Sequence, residues 1–261
     1  MQPLSTAPAN AFRSVRFILT DMDETLTYQG RLAAATYAAL ERLQAIGIKV
    51  IPVTAAPAGW CDQMARMWPV DGVIGENGGL FFQRAPHGHG VVRRFWHTPE
   101  ELPGIRSRLD DIAKEVLNAI PGATFADDQP FRLTSIAFAQ PEDNAIALGL
   151  AERLRASGAN TTFNNIWVLG WLGNYDKLAM TRRILAEIYD VDIDSRPDIV
   201  LYTGDSTNDA PMFNFFQHTV GVSTVRQYLH EIPTPPRWIT QGPGGAGFIE
   251  AAEAVIAAYQ C

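Results

Sequence analysis

The sequence predicts an α/β protein, a doubly wound parallel sheet interrupted by an inserted α+β unit. Short β-branched apolar runs alternate with amphipathic stretches of helical spacing near both ends of the chain, which is the grammar of right-handed strand–helix–strand units. Between Arg84 and Gly173 that grammar lapses. Acidic or hydroxyl residues follow directly on apolar runs at Asp21, Thr54 and Asp205, and open parallel sheets gather ligands at the carboxyl ends of their strands.

Taken in order, residues 1–14 lack the basic start and apolar centre of a signal peptide, so they read as a loose tail. Val15 to Thr20 is a buried strand that stops at Asp21. Leu32 to Ile46 repeats apolar residues at helical spacing, and Gly47 supplies the stop. Ile48 to Val53 and Gly72 to Ile74 are the next strands. Leu80 to Gln83 and Val91 to Trp96 suggest a hairpin around Pro86 to Gly90. A helix through Leu109 to Ile120, a strand Phe131 to Ala139, a helix Ala145 to Ala156 and strand-like material from Thr161 to Leu172 follow. Parallel grammar returns with a helix from Lys177 to Tyr189 and a strand from Asp198 to Thr203. A helix near Ala210, two short edge-strand candidates at Val220 and Trp238, and a closing helix from Gly247 to Tyr259 complete the chain. The expected division is a tail at 1–14, a core of 15–83 with 174–261, and an insert at 84–173.

Composition narrows the function classes. The 261 residues are 47% apolar and 19% charged, enough for a sizeable core. The 28 acidic against 21 basic residues give a net charge of −7, a poor surface for nucleic acid, which needs clustered Lys and Arg. No apolar run approaches the roughly 18 residues of a membrane span. Cys61 and Cys261 are too few for a disulfide framework or a zinc site, which suits a reducing cytoplasm.

The chemistry concentrates at strand ends. Asp21 and Asp23 project into a crevice and repel each other unless a cation sits between them, so a divalent metal is their natural companion. Asp205, ending another apolar run, completes an oxygen cage with Asp21 and the Asp23 carbonyl. Asp209 serves the same loop, with a helix cap as its plainer role. The Thr54 hydroxyl suits a phosphate oxygen, against the plainer reading of a turn residue. Lys177 opens a helix, against the macrodipole unless an anion lies nearby.

Asp21-Met22-Asp23-Glu24-Thr25, Thr54, Lys177 and Gly204-Asp205-Ser206-Thr207-Asn208-Asp209, in that order, resemble the four motifs of the haloacid-dehalogenase-like (HAD) phosphohydrolases. The insert resembles the α+β cap of their type IIB branch, and Glu76-Asn77-Gly78-Gly79 that branch's turn before the cap. The resemblance implies a Rossmann-like core. It makes Asp21 the nucleophile that becomes an aspartyl-phosphate and Asp23 the acid and then base. Thr54, Lys177 and Asn208 become holders of the phosphoryl group; Asp21, Asp23, Asp205 and Asp209 become the Mg²⁺ site, with Asn208 and Asp209 orienting its shell. Asn77 and Arg132 become candidate contacts to substrate. Two positions depart from the family pattern: Glu24 where glycine is usual, and Ala55-Ala56 where Gly-Arg is frequent.

Within the insert, Arg132 is expected on a strand between Phe131 and Leu133. Asn164, Asn165, Trp167 and Trp171 offer surfaces suited to sugars, although the tryptophans read better as core. His87 and His89 read as a hairpin tip, and Cys61 as a small core residue. The expectation is a Mg²⁺-dependent phosphatase of a small phosphorylated metabolite, most naturally a sugar phosphate. A phosphosugar mutase or phosphotransferase using the same aspartate, and a non-catalytic phospho-acceptor or binding module, are the alternatives. The sequence leaves oligomeric state open.

Overall fold

The structure, a computed structural model, describes residues 1–163 and 166–260. Asn164, Asn165 and Cys261 lie outside the described residues. Six parallel strands form the central sheet. They are β1 (Gln2–Pro3), β2 (Phe17–Thr20), β3 (Lys49–Pro52), β10 (Val200–Gly204), β11 (His218–Gly221) and β12 (Trp238–Ile239), in the spatial order β1-β12-β11-β10-β2-β3. Alternation along each strand builds the two faces. Ile18, Val50 and Leu201 point to one side, against helices α1 (Ala34–Ala45), α2 (Ala58–Met67) and α7 (Gly244–Gln260). Phe17, Leu19, Ile51 and Tyr202 point to the other, against α5 (Lys177–Tyr189) and α6 (Ala210–Phe215). Burial on both faces is why these strands read as unbroken apolar runs.

Beyond β3 the sheet continues through a parallel bridge from Val53 to Ile74. There β4 (Val73–Gly75), β5 (Leu80–Arg84) and β6 (Val91–Phe95) pair antiparallel. Phe82, Val91 and Phe95 pack into the same core as α2. A boundary at residue 84 therefore cuts a hairpin that belongs to the central body. The insert's own core gathers residues between Ile105 and Leu172. It comprises α3 (Leu102–Ala119), α4 (Asn144–Ala156) and an antiparallel sheet of β7 (Ser135–Ala139), β9 (Trp167–Trp171) and β8 (Asn160–Phe163). Ile136, Phe138 and Val168 face the two helices. Ala137, Leu169, Trp167 and Trp171 lie on the opposite face with Ala55 of the central body.

Two further expectations change. Residues 1–14 are not a loose tail: Gln2 and Pro3 pair with Trp238 and Ile239, and Leu4 and Phe12 are buried. Backbone pairing and two anchoring side chains hold this segment, and they make β12 an interior strand. Arg132 is not on a strand, because Gln129–Phe131 forms a 3-10 turn and β7 begins only at Ser135. Among the described residues, no helix is long and apolar enough to cross a membrane.

Candidate active site

Adjacent strands deliver the acidic residues. The Asp21 amide donates to Thr203 O at 2.9 Å, carrying the β2–β10 pairing one residue past the strand. The chain then turns back, with the Leu26 and Thr27 amides both on Met22 O at 2.9 Å. Glu24 sits in this turn at φ 58°, in the left-handed region that glycine enters freely and other residues seldom do. From β10, Gly204 leads into Asp205 and a loop that folds back. A Cβ on Gly204 would fall 2.4 Å from Asp209 Oδ2, so the return requires glycine. The Asp205 and Ser206 amides donate to that oxygen at 3.0 and 3.3 Å.

Lys177, the first residue of α5, answers the question its position raised. Its Nζ donates to Asp21 Oδ1 at 2.7 Å and Asp209 Oδ1 at 2.9 Å, all three residues being buried. The anions a lysine needs at that end of a helix are two carboxylates from other segments. Asp209 also accepts from the Tyr202 hydroxyl. With four donors on two oxygens it is largely committed to holding Lys177 and the loop.

Negative charge is in excess. Burial pushes Asp21 up to about 7, against Lys177 and with Asp209 adding to the rise. Burial likewise takes Asp23 to about 6, Lys177 opposing and Glu24 and Asp128 assisting. Asp205 is raised well above the carboxylate range by burial, then by Asp21 and Asp209. Burial works against the Lys177 charge, yet Asp209 and Asp21 hold it above its ordinary value. One ammonium among these carboxylates leaves room for a further cation. One oxygen from each of Asp21, Asp205 and Asp209 lies within 4.8 Å of the others, a hard-oxygen donor set that fits a divalent ion. Asp23 does not join that group through its side chain.

Asp21, Asp23, Thr54, Asp205 and Asn208 border one cavity of about 60 Å³, with Ile166 of the insert among its walls. Thr54 Oγ1 accepts from the Ala56 amide at 3.0 Å, the turn bond of the plainer reading, while its hydroxyl hydrogen remains available. Asn208 accepts from Ser206 Oγ at 2.9 Å. It also borders a neighbouring cleft of about 210 Å³ with Lys177, Asn77, Thr162 and Trp171. Asn77 is buried at φ 57°, and its Nδ2 makes no hydrogen bond among the described residues.

Arg132 takes a different place from the one expected. Its side chain is buried and its guanidinium forks onto Asp128, at 3.2 and 2.8 Å. It also donates to Ala55 O at 3.0 Å and Ser135 Oγ at 3.2 Å, and lies over the Trp167 ring. These bonds tie it to the seam between insert and central body. Trp167 and Trp171 are buried in that seam, and the Trp171 indole N–H donates to Tyr175 O. Cys61 is a free, buried core thiol, and His87 and His89 lie in the β5–β6 connection.

Glu76 is the residue sequence reasoning missed. Fully buried, its carboxylate accepts the amides of Ala58, Leu133 and Thr134 and the hydroxyls of Thr134 and Ser135. It joins the start of α2 to the insert just before β7. Its insert partners lie 57 to 59 residues away, and no local pattern announces them.

No family model matches the sequence, and no curated protein matches it. Solved structures do. A protein from Thermoplasma acidophilum superposes with a TM-score of 0.71 at 18% identity, over 93% of this chain and 99% of that one. The sucrose-phosphatase of Synechocystis, solved with sucrose and phosphate, gives 0.66 at 15%, over 92% and 97%. A haloacid dehalogenase-like hydrolase from Bacteroides thetaiotaomicron gives 0.63 at 17%, over 92% and 99%. At such identities the likeness is one of fold. The chain has the fold of haloacid-dehalogenase-like hydrolases over nearly its whole length.

Proposed function

We propose that this protein is a Mg²⁺-dependent phosphatase that hydrolyses a small phosphorylated metabolite, a sugar phosphate, through an aspartyl-phosphate on Asp21. One observation carries the reading: Lys177 bridges Asp21 and Asp209, and Asp21 and Asp205 border a cavity that Asp23, Thr54 and Asn208 complete. Four separated segments meet there, and phosphoryl transfer asks chiefly for positioning and charge neutralisation.

Asp21 is the attacking group, its carboxylate aimed by the sheet and by the Lys177 ammonium. Asp23, held near 6 by burial, gives a proton to the departing alcohol and takes one from the water that releases phosphate. Lys177, Thr54 and Asn208 bind the phosphoryl oxygens. Asp21 and Asp205 would hold Mg²⁺, with Asp209 fixing the loop beneath them. When bound, the ion offsets carboxylate repulsion and the charge of the phosphoryl group. The sugar assignment is supported by the sucrose-phosphatase fold and by the adjoining cleft, where Trp171 offers an aromatic face and Asn77 an unused amide. A free, buried Cys61 suits a reducing cytoplasm.

Phosphate release from a panel of phosphorylated metabolites, with and without Mg²⁺, tests the proposal. Asp21→Asn should abolish turnover while circular dichroism stays native. Turnover retained by that variant refutes the mechanism, and isomerised phosphosugar in place of free phosphate indicates a mutase.

A further inference from the structure

We propose that Glu24 is a charge filter, admitting esters whose leaving group carries no second negative charge. The inference rests on the phosphatase reading and concerns which phosphoester that site takes.

The cavity wall carries the carboxylates of Asp21, Asp23, Glu24 and Asp205, and among the described residues no basic side chain. The cations nearby are already assigned: Arg132 to Asp128, and Lys177, paired with Asp21 and Asp209, to the one phosphoryl group it would hold. Lys177 and a divalent ion on Asp21 and Asp205 answer the charge of one phosphoryl group. Among the described residues no cation answers a second anion on the leaving-group side, where Asp23 stands next to Glu24.

Glu24 is placed to act there. It is half-buried and borders the cavity from a backbone conformation that residues other than glycine rarely adopt. The Gln29 amide holds Oε1 at 2.8 Å, and Oε2 takes no hydrogen bond among the described residues. The carboxylate is thus anchored by one oxygen with the other uncommitted. Glu24 is also among the groups that raise Asp23, so its charge is felt where the leaving alcohol departs. Like charges facing each other across one small cavity, at an effective dielectric between protein surface and water, weaken capture by about tenfold.

Three matched esters test this on the full chain with Mg²⁺: phenyl phosphate, 4-carboxyphenyl phosphate and 4-(aminomethyl)phenyl phosphate. The expected kcat/KM for the carboxylate is about tenfold below that of phenyl phosphate, with the amine at or above phenyl phosphate. Glu24→Gln keeps the side-chain length and removes the charge, and should shrink the tenfold gap to about twofold or less. In case that variant misfolds, raising the ionic strength tenfold should narrow the same gap in the unmodified protein. Equal rates for carboxylate and phenyl esters overturn the proposal, as does a gap that neither the variant nor salt changes. Failure to hydrolyse all three esters is a different result: it removes the phosphatase reading and the filter with it.

Discussion

The guanidinium of Arg132 donates to the main-chain oxygen of Ala55 at 3.0 Å, joining the inserted unit to the residue after Thr54. The same group neutralises Asp128, and both side chains are almost wholly buried. Replacing Arg132 by Ala leaves Asp128 buried and unpaired, which costs about 3–5 kcal/mol. Arg132→Lys keeps a charge but loses the fork, and should cost less. Urea unfolding of the two variants checks the order; a loss under about 1 kcal/mol for the alanine variant would contradict the assigned role.

Glu76 gives a second prediction. A glutamine there retains one oxygen and turns amide hydrogens toward donors, either Ala58 and Leu133 or Thr134 and Ser135. A buried donor facing a donor costs about 1–3 kcal/mol, and bonds to a charged acceptor are among the stronger ones. Glu76→Gln should lower Tm by about 5–10 °C in a chain of this size. Calorimetry gives the value, and an unchanged Tm would mean the five contacts contribute little.

His218 supplies a pH dependence. It opens β11 with its ring edge-on to Phe12, and Nδ1 is buried without a hydrogen-bond partner among the described residues. Burial and then Arg237 depress its pKa below the ordinary 6.5, Asp198 opposing. The folded protein binds this proton less readily than the unfolded chain, so unfolding takes up a proton once pH falls below about 6.5. The neutral ring's contribution is therefore complete above that pH and diminishes as pH falls toward the folded value. The stability difference between the unmodified protein and His218→Gln should shrink from pH 7.5 to pH 5. A difference that stays constant over that range would show that His218 titrates alike in both states.

Much of this arrangement was legible in the chain. Parallel strands bring their carboxyl ends together, so Asp21, Thr54 and Asp205 after apolar runs point to a common edge, and Lys177 begins its helix where the spacing put it. What escaped depends on contacts that local patterns do not carry. Phe131 and Leu133 flank Arg132 as on a strand, but Pro130 lies in a 3-10 turn that delays β7 to Ser135. Gln2 and Pro3 pair only because Trp238 and Ile239 offer an open edge. Glu76 reads as part of a turn until residues 133–135 arrive against it.

His97 Nε2 donates to Leu172 O at 2.7 Å across 75 positions of sequence. The excursion that houses α3, α4 and their sheet thus leaves and rejoins the main body through one doorway. Closely spaced ends let the hanging segment vary without stretching the sheet beneath, provided a replacement answers Ala55 O and the buried Glu76 carboxylate as residues 132–135 do here. The strand ends that carry Asp21, Thr54 and Asp205 would stay on the frame beneath.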